Sequence, residues 1–300
     1  MYPNHAMGYA YLGSCKLFTG NAEQDLVMER RAMELNPRDP NLFLRYRRLG
    51  LASLLLGRDQ EAIAFLEHSL VVQGDYEGTR QTVYRQLAAA YALVGRSDDA
   101  KRALAEADRL WPFDTVRSHV PGDTSDSRAV EQIRHYQDGL RLAGERDHAD
   151  EDADFGVTAE AGLHGSQAGR TPKRAPGATT IRTADVPGLL ATLHPVVIDV
   201  GNYAWGRSVP GAVELRYAGL GGSFADMAQQ RLGRKMQALT KADRAAPIIV
   251  VGWNCERFDG YNLTLRLVAL GYTQVYWYRG GREAWEVAGL PETEMTPQDW

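Results

Sequence analysis

Two cysteines, Cys15 and Cys255, are the only thiols in 300 residues. They fall in different segments and suggest no disulfide framework, so a reducing cytoplasm is the expected setting. The chain has no run of 18 apolar residues, so no membrane span is expected. Met1-Tyr2-Pro3-Asn4-His5 is not a basic start followed by an apolar core, so no secretory signal is expected. There is no strong excess of either charge. A net charge of −4 and a pI near 6.0 call for neither a nucleic-acid nor a membrane partner. No cofactor and no metal is expected. The rest is ordinary for a globular chain: 44% hydrophobic, 24% charged, and a length that allows about two domains.

A repeat fills the first part, residues 1–144. Gly20, Gly57 and Gly95 each end an apolar helical stretch, at intervals of 37 and 38 residues. The third unit is the cleanest: Tyr84, Leu87, Ala88 and Tyr91 share one helix face, Gly95 ends that helix, Ala100, Leu104 and Ala107 follow, and Pro112 stops the second helix. Tyr9, Leu12, Gly13, Gly20, Ala32 and Pro37 repeat the frame, as do Tyr46, Leu49, Gly50, Gly57, Ala62 and Leu66. Ser127 to Ala143 reads as a helix that covers the end of the array. These units resemble the tetratricopeptide repeat; the alternative is an unrelated helical bundle. With the closing Gly139 to Gly144 they also resemble the C-terminal parts of certain bacterial nucleotide cyclase-like proteins, and Met1 begins so near the first helix that the N-terminus looks cut. The resemblance implies a groove for a protein or peptide ligand. Asn41, Tyr46, Arg47 and Arg85, on the first helices of units two and three, are its expected contacts.

Residues 145–177 lose periodicity. An acidic run (Asp147, Asp150, Glu151, Asp152, Asp154) and a basic one (Arg170, Lys173, Arg174) lie among small polar residues. Such composition reads as a solvated, flexible linker.

Residues 178–295 alternate strand and helix signals. Val196 to Val200, Ile248 to Val251 and Gln274 to Tyr278 read as strands; Ala228 to Leu239 and Tyr261 to Leu270 read as helices, the latter ended by Gly271. The expected fold is therefore α plus α/β: a helical repeat array, then a parallel sheet flanked by helices.

Val197-Ile198-Asp199-Val200, Val209-Pro210-Gly211-Ala212, Leu270-Gly271-Tyr272, Gly280-Gly281, Ala284-Trp285 and Gly289-Leu290-Pro291 recur in this order. In this they resemble the rhodaneses, and the Gly-rich Gly219 to Ser223 resembles the branch tied to PQQ-dependent catabolism, which carries a Cys-x-x-Cys-Trp motif. The resemblance implies a persulfide-bearing cysteine in the loop after the strand Ile248–Val251. Cys255 is the candidate, with Arg257 to bind a small anionic sulfur donor. Asp199, Gly252, Trp253, Asn254, Glu256, Phe258, Asp259 and Gly260 would support the loop. Trp285 reads as a core anchor; for Trp253, Tyr278 and Arg279, packing and pocket roles both stand.

Three departures oppose this. The family cysteine comes straight off the strand, where Gly252 stands; Glu256 and Asp259 put negative charge in the loop; and Gly201 replaces a pocket arginine. Cys15 reads as a buried small hydrophobe. Two functions follow: a sulfurtransferase on a solvent-accessible, partly activated Cys255, or a degenerate rhodanese-fold binding module beside a partner-binding array. A phosphatase would need an arginine further from the cysteine than Arg257.

Overall fold

Three left-handed glycines organise the first unit. The structure, a computed structural model, describes residues 5–73, 78–119, 126–200 and 206–300. It divides into two units, Met1–Asp147 and His148–Trp300. In the first, α1 (Ala6–Phe18) pairs with α2 (Ala22–Leu35), α3 (Leu42–Leu55) with α4 (Asp59–Gln73), and α5 (Arg80–Leu93) with α6 (Ser97–Leu110). Gly20, Gly57 and Gly95 follow α1, α3 and α5 with φ of 72°, 71° and 80°. The residue after each glycine donates its N–H back to the carbonyl of Lys16, Ser53 or Tyr91, at 2.9, 2.9 and 2.8 Å. These bonds close the helix ends and start the return helices. The glycine spacing read from the sequence is thus a repeated helix stop.

The pairs close over one core that includes Leu49, Leu54, Leu66, Ala88 and Leu104. The covering helix α7 (Ser127–Ala143) packs on α5 and also touches α3 and α6. It ends at Gly144, φ 98°.

The second unit holds a six-stranded sheet in the order β1–β6–β5–β2–β4–β8, parallel at every pairing. Its elements are β1 (Thr179–Ile181), α8 (Val186–Leu193), β2 (Val196–Asp199), β3 (Arg207–Ser208), β4 (Val213–Glu214), α9 (Met227–Leu239), β5 (Ile248–Val251), α10 (Phe258–Ala269), β6 (Val275–Tyr278), α11 (Gly281–Val287), β7 (Thr293–Glu294) and β8 (Thr296–Pro297). β3 and β7 form a separate antiparallel pair. Side chains leave a strand alternately to its two faces. Ile198, Ile248 and Val250 therefore meet Leu232 and Met236 of α9 and Leu263 and Leu267 of α10. Val197, Ile249 and Val251 meet Val186 of α8 and Trp285 of α11. All four residues of β5 are buried, as its unbroken apolar run requires. The observed class is α plus α/β.

The boundaries differ from those expected. Glu145 belongs to the helical unit, where its carboxylate takes Arg85 Nε at 2.6 Å. Residues 148–177 are not a tether. They carry no helix or strand, yet they belong to the second unit and bury Ala149, Thr171 and Ala175. Backbone hydrogen bonds hold this segment, and composition does not register them. Helix α10 begins at Phe258, three residues before the expected Tyr261.

Candidate functional site

Strand β5 ends at Val251, and the six residues Gly252 to Arg257 lead to α10. This is the carboxyl edge of a parallel sheet, where α/β folds bind ligands. The next helix pins the loop: the N–H groups of Arg282 and Glu283 donate to the carbonyls of Gly252 and Trp253, each at 3.0 Å. Asn254 donates from Nδ2 to Glu283 Oε2 at 2.9 Å and accepts the Glu256 N–H at 2.9 Å. Trp253 is buried under Arg282, 5.7 Å from its ring centre.

Gly252 occupies the position straight off the strand. A β-carbon there would stand 2.7 Å from Oδ1 of Asp259 and 3.1 Å from the Gly260 nitrogen. The Asp259 carboxylate is wholly buried and takes the Gly260 N–H at 2.7 Å. Burial pushes its pKa up, while Arg257 and the backbone N–H groups of Gly260, Trp253 and Asp259 oppose that rise. The anion cradle at the helix start is therefore filled from within, by a side chain of the helix itself.

Cys255 is not the accessible thiol the sequence suggested. It is 1% exposed, and its Sγ donates to the carbonyl of Asp150 at 3.2 Å. Burial pushes the thiol up to about 12, with Glu256 and Glu283 adding to the rise and Arg279 opposing it. A thiol in that state is a poor nucleophile at neutral pH. Cys15 differs from expectation in the other sense: it is exposed on α1.

The cover over the loop comes from residues 148–177. Thr171 gives its N–H and its hydroxyl to the Cys255 carbonyl, at 3.0 and 2.6 Å. Gly169 N–H donates to the Glu256 carbonyl at 2.9 Å, and Phe258 N–H to that of Gln167 at 2.7 Å. Arg279 clamps this segment from below. It donates to the carbonyls of Glu151 (2.6 Å), Pro172 (3.0 Å) and Thr171 (3.1 Å). Glu283 holds the other end by accepting the Ala149 N–H at 2.8 Å. Further on, His164 stacks on Phe258 with ring centres 3.6 Å apart, and its backbone exchanges two 2.9 Å bonds with the Asn262 amide.

The remaining expected site residues of the second unit have partners within it. Asp199 accepts the Ser208 hydroxyl at 2.6 Å, with Arg282 Nε 3.9 Å away. Arg257 is mostly buried, with Nε 3.8 Å from the Asp259 carboxylate, so its charge faces that carboxylate. Glu256 is buried, with Arg170 Nε at 3.8 Å. Gly201 lies outside the described residues. Of the groove residues, Arg85 is 1% exposed and held by carboxylates, so it is not a partner contact. Asn41 and Arg47 line one cavity on the first unit, and Tyr46 packs edge-on against His68, 4.2 Å between ring centres. Sequence reasoning missed Asp150, Phe155 and Thr171, because nothing in an unpatterned polar stretch points to where its backbone will dock.

A parallel sheet with a loop-helix junction at its carboxyl edge and a second loop at Gly280–Gly281 defines an α/β domain. Residues 184–288 match the family model of the rhodanese-like domain, so the second unit contains a rhodanese-like domain. No curated protein matches the chain. Among the described residues no helix is long and apolar enough to cross a membrane.

Proposed function

We propose that this chain is a binding protein in which a catalytically degenerate rhodanese-like domain accompanies a tetratricopeptide-type array that holds a protein or peptide ligand. One observation carries the reading: the Asp259 carboxylate occupies the space that a side chain at Gly252 would need. A sulfur carrier needs that cradle open for a thiolate and its anionic donor. A buried carboxylate there both fills the space and repels an anion. The thiol of Cys255, bonded to the Asp150 carbonyl, supports the same conclusion.

The competing reading is a sulfurtransferase. There the Cys255 thiolate would take the sulfane sulfur of thiosulfate, release sulfite, and pass the sulfur to a thiol or cyanide. Intact mass spectrometry after thiosulfate and polysulfide treatment separates the two. The expected result is no sulfur added at Cys255, and no thiocyanate formed from thiosulfate and cyanide. A stoichiometric persulfide on Cys255 in the folded protein would sink the degenerate reading.

A further inference from the structure

Arg47 and Arg85 occupy the same position in successive repeats, 38 residues apart, the interval that separates Gly57 from Gly95. Their surroundings differ in one respect. Arg85 meets three carboxylates: Asp108 at 2.5 Å, Glu145 at 2.6 Å and Asp114 at 3.2 Å. Arg47 has no hydrogen-bond or ion-pair partner among the described residues, and its Nε is buried. A guanidinium presents five donors, and donors withdrawn from water without acceptors are costly. Burial, with Arg48 alongside, pushes Arg47 down to about 10, which leaves it cationic at neutral pH.

Arg47 lines a cavity of about 280 Å³ between α1 and α3. Two further arginines line it, but both are compensated. The fully buried Glu29 takes Arg45 at 3.0 Å and lies 3.5 Å from Arg48, and Asp39 lies 3.7 Å from Arg45. Arg47 is the one of the three without a carboxylate at ion-pair distance; Glu29 and Tyr136 act on it only from farther away. Asn41 adds a polar wall, and Leu44 and Tyr11 add apolar ones; Tyr11 is 67% exposed. What the neighbouring repeat supplies to Arg85 from its own chain, this repeat leaves to be supplied from outside.

We propose that this cavity binds an acidic side chain of a peptide segment, with Arg47 as the ionic anchor and an adjoining apolar residue of the peptide against Tyr11 and Leu44. The inference rests on the partner-binding reading of the array and names the chemistry of the ligand. The cavity suits one side chain and its neighbour, and a single open guanidinium matches a single carboxylate. Tyr11 supplies rigid contact area at low entropic cost.

The test uses the full chain and three tripeptides: acetyl-Leu-Glu-Leu-amide, acetyl-Leu-Gln-Leu-amide and acetyl-Leu-phosphoserine-Leu-amide. Binding is read by isothermal titration calorimetry, which serves the unaltered chain and its variants alike. The Glu peptide should bind saturably and about ten-fold more tightly than the Gln peptide, the effect of one charge-assisted pair. Arg47→Gln should abolish that preference, and Arg47→Lys should retain part of it. Should Arg47→Gln fail to fold, the preference of the unaltered chain and its loss in Arg47→Lys at high salt decide the matter. Equal affinity for the Glu and Gln peptides overturns the proposal. So does saturable binding of the phosphoserine peptide without the Glu peptide, which makes the cavity a phosphate site. The sulfur-transfer assay reads the rhodanese-like domain alone, so failure here leaves the degenerate reading of that domain standing.

Discussion

Arg279 stands 5.3 Å from the centre of the Phe155 ring, which Arg170 also covers at 5.4 Å. The ring lies in the covering segment, and Arg279 comes from the end of β6, so one cation holds the cover by an aromatic face as well as by carbonyls. Removing it tests how far the cover protects Cys255. In the unaltered protein iodoacetamide should label the exposed Cys15 and leave Cys255 intact until denaturant is added. Arg279→Ala loses several charge-assisted bonds at a 4% exposed site, a cost of about 3 kcal/mol. In that variant Cys255 should become labelled without denaturant, and mild proteolysis should cut within residues 150–172. Continued protection of Cys255 in a folded Arg279→Ala protein would show that the loop, not the cover, buries the thiol.

Arg85 belongs to the stability of the helical unit and not to its ligand. Its Glu145 partner is 3% exposed, so Arg85→Met strands a buried carboxylate. The expected loss is about 3–5 kcal/mol, read as a lower urea midpoint for the helical signal. Adding Glu145→Gln to that variant should recover part of it, because the stranded charge is then gone. A variant as stable as the parent would mean that the Glu145 carboxylate does not depend on this cation.

Asp25 predicts a pH dependence. It sits five residues after Gly20, where the later repeats place Ala62 and Ala100, and its Oδ1 lies 2.6 Å from where a β-carbon on Gly13 would stand. Burial, and then the charge of Glu29, raise its pKa from 3.8 to about 7, against the opposing pull of Arg48, Arg45 and Arg47. A carboxyl raised on folding keeps a proton that the unfolded chain has released. Its contribution is therefore full below pH 4 and declines as pH rises through 7, by about 4 kcal/mol at most. Hydrogen exchange of α1 and α2 amides should quicken between pH 5 and pH 8 beyond the intrinsic chemical rate. Asp25→Asn should remove that excess; an excess that persists in Asp25→Asn would assign it to another group.

Much of the architecture was legible because it rests on periodic signals. The glycine interval marked the three helix stops, and the apolar run Ile248–Val251 marked the central strand. The rhodanese-like match was legible from Val197–Val200 and Leu270–Trp285, whose order survives in the fold. The site was less legible. Sequence shows that Gly252 stands where a cysteine is expected, but not that the carboxylate seven residues on folds back into the vacant space. Nor does it show that Asp150 turns its carbonyl to Cys255, since any residue carries a carbonyl. Arg47 and Arg85 are alike as residue types and in their place in the repeat. What separates them is three carboxylates around Arg85, one of them Glu145, which composition places in a linker.

The last residues of the chain have a consequence for handling the protein. Strand β8 pairs with β4 through Val213↔Thr296 and Glu214↔Pro297, and Trp300 Nε1 donates to the Arg216 carbonyl at 3.1 Å. Without this tail β4 would present a bare ladder of N–H and C=O groups, open to pairing with another molecule. Trimming the C-terminus before Thr293 would thus favour self-association, a matter of colloidal behaviour in which eight residues act as a selvedge on the sheet.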